Sequence, residues 1–396
     1  MREVVVTGIG IISPLGKGAE ENLEKLRKEE HGLSKADFFE SRYVDAFPFG
    51  EIKLSNEELR DMLGEGDFTG FTRTCMLACL AFGDAISDAG LTPEMLGSDE
   101  TGVVSASTVG GVCYTDQLYQ DANALGDGSE YMQSYAASAH TNHLVAHFGI
   151  HGYADTINTA CSSSANAIAQ GYRLIQSGRL KRAIVGGVDS LAKYTVNGFN
   201  SLRILSDELC RPFDQKRKGL NLGEGAAYLV LEEASLAEGK KQYGSIRGVG
   251  NSNDAYHASA ISPEAAGVIL AIERTLRSAG IPPEEVDCIN THGTGTENND
   301  EMELLGMSKV FGKLPPFSST KSFTGHTLGA AGAIEAIYSL FSLNYNEVYP
   351  NLRFENPMTA QVQTPVTAYQ RLEEVRYVLS NSFGFSGNCT SLLFGK

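Results

Sequence analysis

The 396-residue sequence lacks tryptophan, and it lacks any apolar run of the roughly 18 residues that a membrane-spanning helix requires. Basic residues are also scarce, with 32 Lys and Arg against 48 Asp and Glu, which gives a net charge of −16. A surface of this charge repels phosphate backbones, so nucleic acid is not expected as a partner. The N-terminus carries charge early and reaches Gly8 and Gly10 quickly, which does not fit a signal peptide. We therefore expect a cytoplasmic protein.

Cysteine pairs and nucleotide motifs are missing as well. The seven cysteines are odd in number and scattered, without a close CxxC pair. This pattern argues against a disulfide framework or a zinc ribbon. The glycine pairs at 8/10 and 248/250 lack the third glycine of a dinucleotide fingerprint, and no Walker A sequence occurs. Nucleotide-driven chemistry is therefore not indicated.

A histidine cluster superficially suggests a metal site, because four histidines fall within twelve residues at helical spacing: His140, His143, His147 and His151. No acidic or cysteine partner accompanies them. We interpret the segment as a surface or subunit-contact helix and expect no metal.

The residues that are present predict layers of helix and sheet. At 42% apolar and 20% charged, the chain is able to bury one large core or two domain-sized ones. Short β-branched runs at 4–6, 101–104, 182–185 and 227–231 alternate with longer helical patterns. This rhythm is typical of helices that cover a buried sheet. The sequence from Ser55 to Glu58 predicts a capping box that opens a helix.

Two internal repeats indicate a duplicated α/β unit. In segments 75–104 and 267–290, a helix ends in Ala-Gly, and Pro and Glu then lead into a strand. Gly90 and Gly280 are expected to adopt the left-handed conformation at these helix ends. A second pair joins the small-residue helix after Cys161 to the one after His326. We divide the chain into an N-terminal half, 1–243, and a C-terminal half, 244–396.

Cys161 follows the extended run 156–158 and precedes a run of small residues, so it is expected at a turn between a strand and a helix. A helix N-terminus favours the thiolate and lowers the pKa of a thiol from about 8.5. A buried structural cysteine is the alternative. His292 lies among glycines and hydroxyls just past a β run, and His326 lies before a second small-residue helix. Taken alone, a histidine in either position is more often a structural imidazole. Together with Cys161 they form a set that suits acyl transfer.

The residues resemble those of a known family, the β-ketoacyl-acyl carrier protein synthases of the thiolase-like superfamily, most closely the elongating type. The resemblance runs nearly end to end, and six motifs occur in the family's order: 5–10 (VVTGIG), 159–164 (TACSSS), 211–214 (RPFD) with 223–226 (GEGA), 291–296 (THGTGT), 321–326 (KSFTGH) with 329–332 (GAAG), and 381–385 (NSFGF). It implies a duplicated thiolase-like fold layered αβαβα, and a homodimer that pairs the strand before the nucleophile across a two-fold axis.

The resemblance also implies the chemistry. Cys161 takes an acyl chain from a carrier-protein thioester, and the backbone N–H groups of Cys161 and Phe385 form the oxyanion hole. His292 and His326 stabilise the enolate that forms when a malonyl thioester loses CO2. The product is a 3-oxoacyl-acyl carrier protein of fatty acid or polyene and polyketide synthesis, made by an acyltransferase. No cofactor is implied, because 4′-phosphopantetheine arrives on the carrier.

Further residues receive supporting roles from the same resemblance. Lys321 supports the region of His326, together with Glu335. The remaining assignments to the substrate site are Thr294 and Thr296, which hydrogen-bond the phosphopantetheine arm, Asp300 and Glu303, which support the loop, and Phe383 and Gly384. Thiolases use a second cysteine where this chain has His326, which favours decarboxylative condensation.

The chain departs from the family at two places. Ser386 replaces a glycine of the gating loop, and Cys389 also differs from the usual Gly-Gly-Thr-Asn continuation. The helix that often carries basic residues for carrier docking is acidic here, although Arg203 matches a docking arginine and 216–218 (KRK) is a further candidate. Two alternatives stay open: a noncatalytic ketosynthase-like partner subunit that sets chain length, and a Cys/His hydrolase.

Overall fold

The computed structural model describes residues 2–126, 128–359 and 363–396. The strands are β1 (Val4–Ser13), β2 (Gly16–Lys17), β3 (Leu33–Ser34), β4 (Phe49–Gly50), β5 (Thr101–Ala106), β6 (Ala154–Ile157), β7 (Arg182–Asp189), β8 (Gly225–Glu233), β9 (Gly244–Asn253), β10 (Cys288–Asn290), β11 (Phe317–Ser318), β12 (Glu347–Val348), β13 (Gln370–Arg371), β14 (Tyr377–Phe383) and β15 (Asn388–Gly395).

The α-helices are α1 (Gly18–Arg27), α2 (Asn56–Leu63), α3 (Arg73–Asp88), α4 (Pro93–Leu96), α5 (Thr115–Ala124), α6 (Ala139–Phe148), α7 (Ser163–Gln176), α8 (Lys193–Ser201), α9 (Ala266–Ala279), α10 (Glu297–Phe311), α11 (Lys321–Thr324) and α12 (Ala331–Tyr345). Short 3-10 helices cover Gly110–Tyr114, Glu130–Ser134, Ala234–Leu236, Pro283–Glu285, Leu328–Ala330 and Phe385–Gly387. Within the described ranges, no helix has both the length and the apolar character needed to cross a bilayer.

One mixed sheet organises these elements, and its two halves share a strand pattern. The first half runs β1-β8-β7-β5-β6 and the second runs β9-β15-β14-β10-β11. In each half the first two neighbouring pairs are antiparallel and the last two are parallel. The halves join where β1 pairs β9, Val5 with Ser245 and Val6 with Gly244.

Helices cover both halves of the sheet and separate them. α7 and α12 pack on each other between the two halves, α3 covers the outer face of the first half, and α9 covers the outer face of the second. Every residue from Ala331 to Leu343 of α12 is buried, as expected for a helix in the central layer. The predicted αβαβα layering is confirmed.

The two sequence repeats occupy equivalent places in this architecture. α3 and α9 lead to the equivalent strands β5 and β10, and Gly90 and Gly280 after them have φ angles of 64° and 68°, as predicted for left-handed helix ends. α7 and α12 follow the equivalent strands β6 and β11. Cys161 and His326, each placed just before one of these central helices, are thereby brought to the same region. The division after residue 243 stays a prediction, and β9 begins at Gly244.

Local sequence explains two features of the fold, the packing at Gly10 and the start of α2. Gly10 lets α3 lie directly on β1, because a Cβ at this position would come within 2.0 Å of the carbonyl oxygen of Ala81. The predicted capping box is present at the start of α2, where Ser55 and Glu58 exchange hydrogen bonds with each other's backbone N–H.

Candidate active site

Cys161 lies in a sharp turn between β6 and α7. Ala160, just before it, has a φ of 55°, in the left-handed region that residues other than glycine avoid. The hydroxyl of Ser163 accepts a hydrogen bond of 2.9 Å from the N–H of Thr159 and holds the turn. The turn places Cys161, 5% exposed, in the wall of a cavity of about 460 Å³.

Two histidines of the C-terminal half face this thiol. The Sγ of Cys161 and one ring nitrogen each of His292 and His326 all lie within 4.8 Å of one another. The two rings are nearly perpendicular, with centroids 5.3 Å apart. His292 follows β10 and His326 precedes the 3-10 helix Leu328–Ala330. The three residues that the sequence singled out are therefore in one place.

Hydrogen bonds determine which ring nitrogen of each histidine carries the proton. The Nζ of Lys321 contacts the Nδ1 of His292 at 3.3 Å, and an ammonium group only donates. The backbone N–H of Leu328 donates to the Nδ1 of His326 at 3.2 Å. Both Nδ1 atoms accept, so in the neutral rings both Nε2 atoms carry hydrogen. The Nε2 of His326 is buried without a hydrogen-bond partner in the described part of the chain, which leaves this donor free for a ligand.

Burial keeps the imidazoles neutral. It places the pKa values of His292 and His326 well below 6.5, and the nearby charge of Lys321 lowers both further. Cys161, His292 and His326 have the spacing of a metal site, but a nitrogen that carries hydrogen does not bind a metal ion. The set is better suited to presenting two N–H donors to a developing negative charge.

Lys321 is 1% exposed and its ammonium also donates to Glu335 of α12. The charge of Lys321 acts on His326, whose pKa it lowers, so the expected electrostatic support of this region stands as a prediction, whereas the direct hydrogen bond of Lys321 is with His292. The Nδ1 of His326 is already occupied by the N–H of Leu328. Burial raises the pKa of Glu335 to about 7, and the charge of Lys321 opposes this shift.

The expected low pKa of the Cys161 thiol is not found. Burial raises the pKa to about 11, although the charge of Lys321 and the backbone N–H groups of Phe385 and Cys161 lower it. Desolvation of the thiolate outweighs these groups, and the sequence does not reveal how completely the sulfur is buried. Both N–H groups thus favour a negative charge at this position, and the oxyanion hole that they would form stays a prediction.

Asp300 and Glu303 hold the loop of His292 from behind. Glu303 accepts hydrogen bonds from the N–H groups of His292 at 2.8 Å and Gly293 at 2.7 Å. Asp300 accepts from the N–H groups of Thr294 at 3.0 Å and Gly295 at 3.2 Å. Burial raises the pKa of Glu303 to about 7. These contacts fix the backbone that carries the histidine.

The grouping of Asp300, Glu303 and Glu335 with the substrate-binding residues is therefore corrected. All three are buried behind the cavity and do not line it. The other predicted residues do line it: Thr294, Thr296, Phe383, Gly384, Phe385 and, near the mouth, Arg203. The hydroxyls of Thr294 and Thr296 lie 2.9 Å apart.

Sequence reasoning missed part of the cavity wall. Phe199 stacks on Phe385 with ring centroids 5.6 Å apart, and residues 259–261 of the loop after β9 form another side. No motif marks these residues. Only their tertiary approach to Phe385 brings them into the site.

Two family descriptions match the chain: the N-terminal domain of β-ketoacyl synthases at residues 1–237, and their C-terminal domain at residues 243–355. The chain belongs to the β-ketoacyl synthase family. A relative from Synechocystis sp., named 3-oxoacyl-[acyl-carrier-protein] synthase 2, is 34% identical over 100% of this chain and 98% of its own length.

Solved structures of the family are also similar. The structure described as the ishigamide ketosynthase/chain length factor has a TM-score of 0.93 and 29% identity, covering 100% of this chain and 99% of the other. A chain of the structure described as a ketosynthase in complex with its chain length factor, from Xenorhabdus doucetiae, has a TM-score of 0.86 and 32% identity, covering 100% of this chain and 98% of the other.

Ser386, which replaces a glycine of the family's gating loop, has a strained backbone conformation. Ser386 has a φ of 64° and a ψ of 12°, a left-handed conformation that glycine adopts without strain. Its N–H donates to the carbonyl oxygen of Ala258 at 2.7 Å. Cys389 is fully buried in β15 and does not line the cavity.

Of the basic run 216–218, Arg217 is not available for docking, and this part of the expectation is corrected. Arg217 is buried and pairs with Glu301 at 2.9 Å and Asp300 at 3.7 Å. Lys218 pairs with Glu208 at 2.7 Å. Lys216 and Lys218 are exposed and stay candidates for docking together with Arg203.

The four-histidine segment does not form a metal cluster within the described residues. α6 carries three of them. His140 is fully buried against Ser105, and burial lowers its pKa to about 4. His143 and His147 pack on Phe71 and Phe68. The inner face of α6 is part of the core, whereas Asn142, Ala146 and His147 are exposed, and the interpretation as a surface or subunit-contact helix stays a prediction for this outer face.

Proposed function

We propose that the chain is an acyltransferase that condenses an acyl group held on Cys161 with a malonyl group carried by an acyl carrier protein. The products are CO2 and a 3-oxoacyl-acyl carrier protein. The observation that carries this proposal is the cluster of one thiol and two neutral imidazoles whose Nδ1 atoms are both occupied by donors. The name of the Synechocystis relative agrees with it.

In the first step, the sulfur of Cys161 attacks the carbonyl carbon of an acyl-carrier thioester. The negative charge on the thioester oxygen is stabilised by the backbone N–H groups of Cys161 and Phe385. The C–S bond to the carrier then breaks, and the thiol proton of Cys161 ends on the released carrier thiol. Since burial disfavours the free thiolate, attack and stabilisation of the oxyanion must be closely coupled.

In the second step, a malonyl thioester loses its carboxylate as CO2, and the bonding electrons form an enolate. The Nε2–H groups of His292 and His326 donate to the enolate oxygen. The enolate carbon then attacks the acyl carbonyl on Cys161, a C–C bond forms, and Cys161 leaves as thiolate. No resident cofactor is needed for these steps, because the phosphopantetheine arm belongs to the substrate. The hydroxyls of Thr294 and Thr296, which line the cavity, are the proposed hydrogen-bond partners of this arm.

We further propose a cytoplasmic homodimer. All seven cysteines are free, as expected in a reducing compartment. β6, the strand before Cys161, ends the sheet order and is partly exposed, so one of its edges is available for a second copy. Arg203, exposed near the cavity mouth, is the proposed contact for the acyl carrier protein.

The test uses Cys161→Ala, His292→Ala and His326→Ala. Cys161→Ala should show no covalent acyl adduct by mass spectrometry after incubation with an acyl-carrier thioester. The two histidine variants should keep this adduct but lose decarboxylation and condensation. Undiminished acylation of Cys161→Ala, or normal condensation by both histidine variants, would sink the proposal.

A noncatalytic partner subunit is the second candidate, favoured by the similarity to structures that contain chain length factors. The intact thiol counts against it. Condensation by the purified chain alone, giving a product two carbons longer, supports the synthase; activity only after mixing with a second ketosynthase supports the partner subunit. Release of free acid instead would indicate a hydrolase.

A further inference from the structure

Asp189 is a fully buried carboxylate that the proposed mechanism does not use. It ends β7 and is 0% exposed. Within the described ranges its hydrogen-bond partners are all neutral donors: the hydroxyl of Ser107 at 2.6 Å, the N–H and hydroxyl of Thr108 at 2.9 and 2.5 Å, the N–H of Val109 at 2.8 Å and the N–H of Gly329 at 2.7 Å. A buried carboxylate that accepts this many hydrogen bonds strongly restricts the positions of the groups that donate to it.

The donors come from two segments that are more than 200 residues apart in sequence. Residues 107–109 lead into the 3-10 helix Gly110–Tyr114. Gly329 belongs to the 3-10 helix Leu328–Ala330, which follows His326. A Cβ at position 329 would come within 2.8 Å of the carboxylate, so the close approach depends on glycine. Asp189 therefore joins these two segments at one point.

The second segment determines the proton position on His326. The donor to its Nδ1 is the N–H of Leu328, the residue directly before Gly329. Leu328 has a φ of 55°, a left-handed conformation that leucine does not favour and that surrounding contacts must maintain. The hydrogen bond from Gly329 to Asp189 is such a contact, one residue away.

We propose that Asp189 is a positioning residue for condensation: it holds the turn Leu328–Ala330 so that the N–H of Leu328 stays on the Nδ1 of His326 and the Nε2–H stays directed at the cavity. The same carboxylate ties residues 107–109 to this turn. The proposal rests on the proposed function for the role of His326. It does not require Asp189 to touch the substrate.

The charge of Asp189 also acts on Cys161, and this effect is measured independently of the proposed reaction. Burial raises the pKa of Asp189 and its hydrogen-bond donors oppose this shift; in its ionised form Asp189 raises the pKa of Cys161, whereas Lys321 lowers it. Asp189→Asn removes this charge and nearly preserves side-chain volume. Alkylation of Cys161 by iodoacetamide is therefore expected to reach its half-maximal rate at a lower pH in Asp189→Asn, and this readout needs neither carrier protein nor malonyl thioester.

The experiment compares the parent, Asp189→Asn and a matched control, Asp287→Asn. Asp287 also accepts backbone N–H groups, from Arg376 and Tyr377, but does not line the cavity. Three quantities are measured: CO2 release from a malonyl-carrier thioester, acyl transfer onto Cys161, and the pH profile of alkylation. Asp189→Asn should lower CO2 release at least tenfold, change acyl transfer less than threefold, and shift the alkylation profile downward. Asp287→Asn should change none of them.

Equal losses in CO2 release and acyl transfer, or unchanged CO2 release, would overturn the proposal. If Asp189→Asn does not fold, Thr108→Val replaces it, since it removes one donor and keeps the carboxylate. Its CO2 release should fall roughly two- to tenfold, the equivalent of one hydrogen bond, and an unchanged rate overturns the proposal. If the parent chain releases no CO2, the proposed function is refuted. If the alkylation profile is the same in Asp189→Asn and the parent, the proposed role of Asp189 is refuted separately.

Discussion

Replacing Lys321 with methionine removes an ammonium group that contacts both His292 and Glu335. The ammonium donates to Glu335 and lies 3.3 Å from the Nδ1 of His292. Without it, the proton of His292 is free to move to Nδ1, and Nε2 then becomes an acceptor that repels an enolate oxygen. Loss of one such donor lowers a rate by about 10² to 10³, or about 3–4 kcal/mol of transition-state stabilisation.

The same change also affects stability, and a double variant separates the two effects. Lys321→Met leaves Glu335 buried without its cation, which costs about 3–5 kcal/mol of unfolding free energy. Lys321→Met with Glu335→Gln removes both charges together and should recover most of that stability. It should not recover decarboxylation, since the Nδ1 of His292 still has no donor.

The assay is CO2 release from a malonyl-carrier thioester, with urea unfolding measured on the same preparations. Lys313→Met, at an exposed lysine, is the control for loss of one positive charge. Normal CO2 release by the folded double variant would show that the proton position on His292 does not depend on Lys321.

Three further predictions concern the backbone and the buried carboxylates. Ser386→Gly should raise the free energy of unfolding, measured by urea denaturation, by up to about 1 kcal/mol, because glycine adopts a φ of 64° without strain. A loss of stability would mean that the serine side chain makes a compensating contact. Burial raises the pKa of Glu303 from 4.5 to about 7, so the folded state binds the proton more tightly than the unfolded state. The free energy of unfolding should therefore fall as pH rises between these values, and Glu303 contributes up to about 3 kcal/mol to this fall. Glu303→Gln should flatten that part of the stability profile measured at pH 4.5 and 7.5, and an identical slope contradicts the assignment. Gly10→Ala should lower Tm, since its Cβ would meet the carbonyl oxygen of Ala81 at 2.0 Å, whereas an unchanged Tm would mean that α3 shifts without cost.

Sequence patterns predicted those parts of the molecule that local chemistry encodes. The two repeats predicted equivalent helices and strands, and the topology places them equivalently because each repeat must bury the same apolar face. The motif around Cys161 predicted the turn from strand to helix. The runs of small residues after Cys161 and His326 predicted two equivalent helices, which are α7 and α12.

The features that depend on tertiary approach were not predictable in this way. The donor that fixes the proton on His326 is a backbone N–H, which no residue type identifies. The pKa of Cys161 was expected to be low because a helix N-terminus is visible in sequence and burial is not. Arg217 was assigned to docking because its pairing with Glu301, 84 residues away, becomes visible only in the fold.

The arrangement of charge gives a physical reason for decarboxylation at this site. Cys161, His292 and His326 are neutral at the cavity, whereas the ionisable groups Lys321, Glu335, Asp189, Asp300 and Glu303 are buried and do not line it. The ammonium of Lys321 is engaged by Glu335 and does not line the cavity, whereas Arg203, Arg217 and Lys218 do line it. In the proposed mechanism, two N–H donors meet the enolate oxygen as negative charge develops on it. The site thus stabilises the charge at the place where it ends, which is the condition for accelerating the loss of CO2.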